Sequence, residues 1–274
     1  MNLLPYFVLL SLHLMLTGQA IPFTSNQDQR GLETGALTFK DSNFVLKGRI
    51  TGQKKGKIKL IYSDKNGKHI LDSTEIRNGR FRFRGFISEP TKVFLEGPVA
   101  SHDMNDPNFT SFFVEPRLIR ISLVLDNFKN AVVTGSKTQM EQVELDRSTA
   151  PVKKEMEPLA KEYQNLSRQY RQAVKAKKDE ARLQELQEKI NRVQTGFEPY
   201  RARIRQIEYD FFSRFPRSFV TAYQLRVYAD ELPLDSLQQF YDQLGPTRQS
   251  IPGREIARQI ERRKQTPANS PQKN

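Results

Sequence analysis

HILDSTEIRNGRFRFRGFI, residues 69–87, reads as two short strands joined by Asn78-Gly79. An Asn-Gly pair in a two-residue loop favours a type I′ turn, because both central residues then need positive φ. That turn predicts a register of Arg77 opposite Arg80, Ile76 opposite Phe81, Glu75 opposite Arg82 and Thr74 opposite Phe83. Side chains alternate along a strand. Thr74, Ile76, Phe81 and Phe83 therefore share a face suited to a core, while Glu75, Arg77, Arg80, Arg82 and Arg84 face water. Glu75 offsets part of the repulsion among the arginines, by roughly 0.2–1 kcal/mol per cross-strand pair.

Outward from this hairpin the strand pattern continues in both directions. Phe44–Ile50 and Lys57–Tyr62 precede it, the latter ending in the turn signal Asp64-Lys65-Asn66-Gly67. Thr91–Glu96 follows Pro90, and Thr110–Glu115, Leu118–Leu125 and Ala131–Thr134 complete the set. About eight short strands at roughly ten-residue spacing predict an antiparallel β-sandwich over residues 41–135. The loop Gly97–Asn108, rich in Pro, Asp and Asn, is either a binding loop at a sandwich end or an ordinary crossover.

Gly135 ends the strands, and helical periodicity runs through residues 136–263. Leu159, Tyr163, Leu166 and Tyr170 form one apolar stripe. Leu183, Leu186, Ile190, Val193, Phe197, Tyr200, Ile204, Ile207 and Phe211 form a longer one at heptad-like spacing. The phase breaks across KAKKDEA, which predicts a long helical hairpin turning near Lys177–Asp179 with Asp179 as N-cap; one long bent helix is the alternative. Pro199 marks a kink or a restart. Ser218 is placed to cap a further helix, Leu234–Leu244 is stopped by Gly245-Pro246, and Arg254–Arg263 is the last. The fold class expected is α+β, a sandwich followed by a helical region with a long hairpin. The stripe is expected to be internal core, with a partner-binding or dimerising coiled coil as the alternative. Residues 264–274 are a disordered tail by composition.

The first 20 residues are of a different character. An apolar run from Leu3 to Leu16 ends at Gly18 and Ala20, as a signal peptide cleaved after Ala20 would; an apolar strand or helix is the alternative. Residues 21–40 then form a flexible leader, and a periplasmic or secreted address follows. The run is short for a membrane span, which needs about 20 apolar residues, and no other segment approaches one. There is no cysteine among the 274 residues, so this chain supplies no disulfide, thiol or Cys-ligated metal. The net charge is +13, with 18 basic against 12 acidic residues before Gly135 and 26 against 19 from there on. Because that excess is spread along the sequence, it reads as a solvated basic surface and excludes nucleic acid as the expected partner. An anionic envelope surface or an acidic partner stays open.

No catalytic, cofactor or metal residues are assigned. His69 begins a hairpin strand, and His102-Asp103 with Asp106 forms at most a weak metal corner. Ser101-His102-Asp103 is contiguous, whereas a triad assembles from separate elements. No glycine-rich phosphate loop occurs.

Several motifs occur in a recognisable order: Gly48-Arg49-Ile50; then Asp72-Ser73, Asn78-Gly79, Phe81, Phe83, Gly85 and Pro90; then Phe113-Val114-Glu115-Pro116 with Ile121; then Val133-Thr134-Gly135-Ser136. This order resembles a domain of unknown function found at the N-terminus of exported Bacteroidetes proteins, ahead of a thioredoxin-like domain. Phe215–Val220 and Ser250–Ile260 extend the resemblance into the helical part. It implies a non-enzymatic binding or accessory role in the cell envelope, with a protein partner there and a thioredoxin-like protein as the candidate. Redox activity does not carry over, because no cysteine is present. A component of a thiol–disulfide system acting in trans is the second expectation, and an enzyme with an unrecognised carboxylate or tyrosine site the third.

Overall fold

The computed structural model describes residues 42–98 and 106–265. The segments expected to be a signal peptide and a leader, Ser101-His102-Asp103, and the expected tail from Thr266 onward lie outside the described residues. The chain divides into two compact units between Glu141 and Gln142.

The N-terminal unit contains β1 (Phe44–Thr51), β2 (Lys55–Ser63), β3 (His69–Arg77), β4 (Arg80–Gly85), β5 (Thr91–Glu96), β6 (Phe109–Val114), β7 (Leu118–Val124) and β8 (Val132–Thr134). These form one eight-stranded sheet in the order β6-β5-β2-β3-β4-β1-β7-β8. The expected antiparallel sandwich is therefore wrong. The sheet curls into a nearly closed barrel with one unsealed seam. It is also mixed: β1 and β7 run parallel from Val45↔Leu118 to Thr51↔Val124. Alternation reports only that one face of each strand is buried. It is the same whether that face meets a second sheet or its own sheet curved back. Phe44, Leu46, Ile58, Leu60, Phe83, Val93, Phe112, Ile119 and Phe128 lie in the single cluster that fills the barrel.

The hairpin turn has Asn78 at φ 52 and Gly79 at φ 72, the conformation a type I′ loop requires. A Cβ on Gly79 would also lie 2.8 Å from the Ile50 carbonyl oxygen. Arg77 pairs with Arg80, but the ladder between β3 and β4 stops there. β3 instead pairs along β2 from Arg77↔Lys55 to His69↔Ser63, and β4 pairs along β1. The register expected beyond the first pair is replaced by a splay. On the inner side of that opening, Phe44 and Tyr62 meet edge to face at 5.3 Å beside Gly85. The expected faces survive: Ile76, Phe81 and Phe83 are buried, and Arg77, Arg80 and Arg82 are exposed.

The long helix α1 (Lys137–Lys175) passes from the first unit into the second. Lys177 at φ 49 ends it, and Asp179 caps α2 (Glu180–Gly196), accepting from the Arg182 amide at 2.8 Å. α3 (Glu198–Arg214) restarts with Pro199 in its first turn. Next come α4 (Phe219–Leu225), capped by Ser218, then α5 (Leu234–Gln243) and α6 (Ile251–Gln265). The expected long helical hairpin is thus wrong: the region consists mainly of separate helices. The break at Phe197-Glu198-Pro199 divides the second arm, since proline cannot donate to the preceding turn. α6 also begins before Arg254 and extends to Gln265, into the segment assigned to the tail. Leu186, Ile190, Val193, Phe197, Ile204 and Phe211 of the stripe are buried within the chain. Tyr163 of α1 meets Phe197 edge to face, and Leu159 lies against Gly196.

Candidate functional site

The outer side of the sheet gathers basic residues that are distant in sequence. On β1, Lys47 and Arg49 alternate with buried Leu46, Gly48 and Ile50, so both point outward. On β4, Phe81 and Phe83 are buried and Arg80 and Arg82 point outward; on β7, Arg120 lies between buried Ile119 and Ile121. The ladders then set these cations side by side. Lys47 is opposite both Arg82 and Arg120, while Arg49 is opposite Arg80. Arg80 is opposite Arg77, which is opposite Lys55. Neighbouring strands are about 4.8 Å apart.

Arg77 is neutralised by Glu75 at 2.9 Å. Lys47, Arg49, Arg80, Arg82 and Arg120 form no ion pair among the described residues. Like charges directly opposite each other destabilise a sheet, so the buried side of the same strands carries that cost. Val124 and Val132 are 52% and 62% exposed on the outer face, with Val132 in register with Ser122 beside Arg49. Gly48 is required by the core beneath: a Cβ there would lie 1.8 Å from Cζ of Phe81.

The seam of the barrel is bridged from α1. Ser136 caps the helix, its hydroxyl accepting from the Gln139 amide at 2.9 Å. The same hydroxyl donates to Glu115 Oε1 at 2.9 Å, and the Thr138 amide donates to that oxygen at 2.6 Å. Ser136-Lys137-Thr138-Gln139 has the capping-box pattern, but Gln139 does not turn back on its own helix. Its Oε1 accepts from the Phe113 amide on β6 at 2.8 Å. Burial pushes the Glu115 carboxyl up, but the Thr138 and Ser136 hydrogen bonds and the Arg117 charge outweigh it and hold the group below the usual carboxylate range. This clasp is structural.

In the second unit, the Tyr228 hydroxyl donates to buried Glu208. Burial raises both groups, and the neighbouring charge of Glu208 raises Tyr228 further. Arg205 Nε is buried without a hydrogen-bond partner among the described residues. An open groove of about 610 Å³ is lined by Arg226, Asp230, Glu255, Arg258, Gln259 and Arg262. Its charges are mixed, with Arg226 bound to Glu255 at 3.0 Å.

The motif residues occupy structural positions. Asn78 and Gly79 make the turn, Phe81 and Phe83 enter the core, Gly85 lies beneath Tyr62, and Pro90 precedes β5. Asp72 is half-buried, its carboxyl raised by burial and partly offset by the Ser73 amide at 2.7 Å. His69 lies 3.4 Å from the Ser63 hydroxyl at the exposed end of β2 and β3. Among the described residues no group of three or more His, Asp and Glu is arranged to hold a metal ion, and no helix is long and apolar enough to cross a membrane. Sequence reasoning found the outward arginines of the hairpin but missed the array. Lys47 and Arg49 join it through the antiparallel pairing of β1 with β4, and Arg120 through the parallel pairing of β7 with β1; neither pairing has a local signal. Residues 44–142 match the family described as Domain of unknown function (DUF4369), which leaves Phe215–Val220 and Ser250–Ile260 outside the matched segment. No curated protein and no solved structure matches the chain.

Proposed function

We propose that this chain is an exported, non-catalytic binding or accessory protein of the bacterial cell envelope, acting through the cationic outer face of its N-terminal sheet. The observation that carries the reading is the array of Lys47, Arg49, Arg80, Arg82 and Arg120, held in opposed positions with no neutralising partner among the described residues. A fold that keeps like charges in register at a cost to itself has them available for an anionic partner. Export is supported by the apolar run Leu3–Leu16 and the small residues Gly18 and Ala20. The envelope context is supported by the resemblance to N-terminal domains of exported Bacteroidetes proteins.

The same resemblance supports a second reading, a component of a thiol–disulfide system acting in trans. With no cysteine here, a separate thioredoxin-like chain would supply the thiols. A pull-down from envelope extract tests both. Recovery of an envelope component by wild type, lost on reversing Arg49, Arg82 and Arg120 to Glu, supports the first. Recovery of a thiol oxidoreductase regardless of that reversal supports the second. Recovery of neither counts against both.

A further inference from the structure

We propose that the outer face of β4, β1 and β7 docks on the surface of an anionic phospholipid bilayer. The inference rests on reading this face as the binding surface and names what it binds. Three features of the face select the occupant. First, it is the outside of a nearly closed barrel, so Lys47, Arg49, Arg80, Arg82 and Arg120 form a two-dimensional array and not a pocket. Second, the array is all of one sign. An acidic protein would need fixed carboxylates matched to it, whereas lipid headgroups move laterally and gather beneath whatever pattern is presented. Third, Val124 and Val132 are exposed on the same side of the sheet. Apolar side chains beside basic ones suit the boundary between headgroups and acyl chains, while a nucleic acid backbone offers valine nothing.

The expected size follows from the charges. A Lys or Arg near an anionic membrane contributes roughly fivefold to partitioning. Reversing Arg49, Arg82 and Arg120 should therefore weaken binding by at least on the order of a hundredfold. High salt should release the wild type, because the Debye length contracts to about 3 Å at 1 M.

The test is co-sedimentation of the chain, as recovered from cells, with two kinds of vesicle. One is phosphatidylcholine alone; the other is phosphatidylcholine mixed with phosphatidylglycerol. The variants are Arg49→Glu/Arg82→Glu/Arg120→Glu and a control with the same charge change on α1, Lys154→Glu/Lys161→Glu/Arg171→Glu. Circular dichroism and thermal melting confirm that both fold. Wild type and control should sediment with phosphatidylglycerol vesicles only, in a salt-sensitive way, and the face variant should stay in solution. Val132→Ser should weaken sedimentation while leaving its salt dependence intact. Equal sedimentation of face variant and wild type overturns the proposal, as does failure of wild type to bind anionic vesicles. If wild type fails on vesicles but captures an acidic envelope protein that the face variant loses, the bilayer is wrong and the binding role stands. Failure in both assays removes both.

Discussion

Replacing Glu115 with alanine should loosen the barrel at its seam. The residue is 6% exposed, and one of its carboxylate oxygens accepts from both the Thr138 amide and the Ser136 hydroxyl. A hydrogen bond to a charged group contributes about 1.5–3 kcal/mol, and loss of a helix cap about 1 kcal/mol. The Arg117 pair adds little, because that arginine side chain is 59% exposed. The two bonds share one oxygen, so the total is set at about 3 kcal/mol for Glu115→Ala and about half that for Glu115→Gln, which keeps an acceptor. The sign with pH is definite. The folded carboxyl titrates below its ordinary 4.5, so its contribution is fully present above that value and is lost as pH falls through the lowered folded value. Glu115→Gln should remove this acid-side loss. Hydrogen–deuterium exchange across a urea series, read on peptides covering β6 and the first turn of α1, measures the effect locally. If Glu115→Ala leaves those peptides as protected as in wild type, the clasp does not hold the seam.

Gly48→Ala should destabilise the N-terminal unit by about 2–3 kcal/mol, because the new methyl overlaps the Phe81 ring. Urea titration should show Phe81→Leu recovering part of the loss in the alanine background, and strict additivity would contradict the contact. Gly79→Val should disrupt the turn, since a β-branched residue resists φ 72 and its Cβ meets the Ile50 carbonyl; a melting curve like that of wild type would mean the turn conformation is wrong. Glu208→Gln should act opposite to Glu115→Gln. The Glu208 carboxyl is raised by burial, so its contribution is full below 4.5 and is lost as pH rises through the raised value. The glutamine variant should match wild type in acid and exceed it in stability at neutral pH, read from exchange of α3 peptides. Equal neutral-pH stability would show that the carboxyl carries no burial cost.

What could be read from the sequence was local. The Asn78-Gly79 turn, the Asp179 and Ser218 caps, the restart at Pro199 and the burial of much of the Leu183–Phe211 stripe each follow from residues within a few positions of one another. What could not be read depends on which strand lies beside which. Phe81 and Phe83 are buried in either a sandwich or a barrel, so alternation could not choose between them. The β3–β4 ladder ends at Arg77↔Arg80, while β3 pairs with β2 along its whole length, and only the assembled sheet decides that. The parallel placement of β7 beside β1 brings Arg120 next to Lys47 across a long stretch of chain. For the same reason part of a charge excess that looked evenly spread lies together on one face of the sheet. Glu115 stood within a motif, but its partners lie beyond β7 and β8. Glu208 and Tyr228 were likewise unremarkable until α3 and the turn after α4 met.

The most direct test of the proposal that this chain is exported and binds through its cationic face is fractionation of the producing cells, with the mature N-terminus read by mass spectrometry. Wild type should begin at Ile21, sediment with the envelope at low salt and be released at high salt. Arg49→Glu/Arg82→Glu/Arg120→Glu should also begin at Ile21 but remain soluble. A cytoplasmic chain with Met1 intact, or a face variant that sediments as wild type does, would contradict the account.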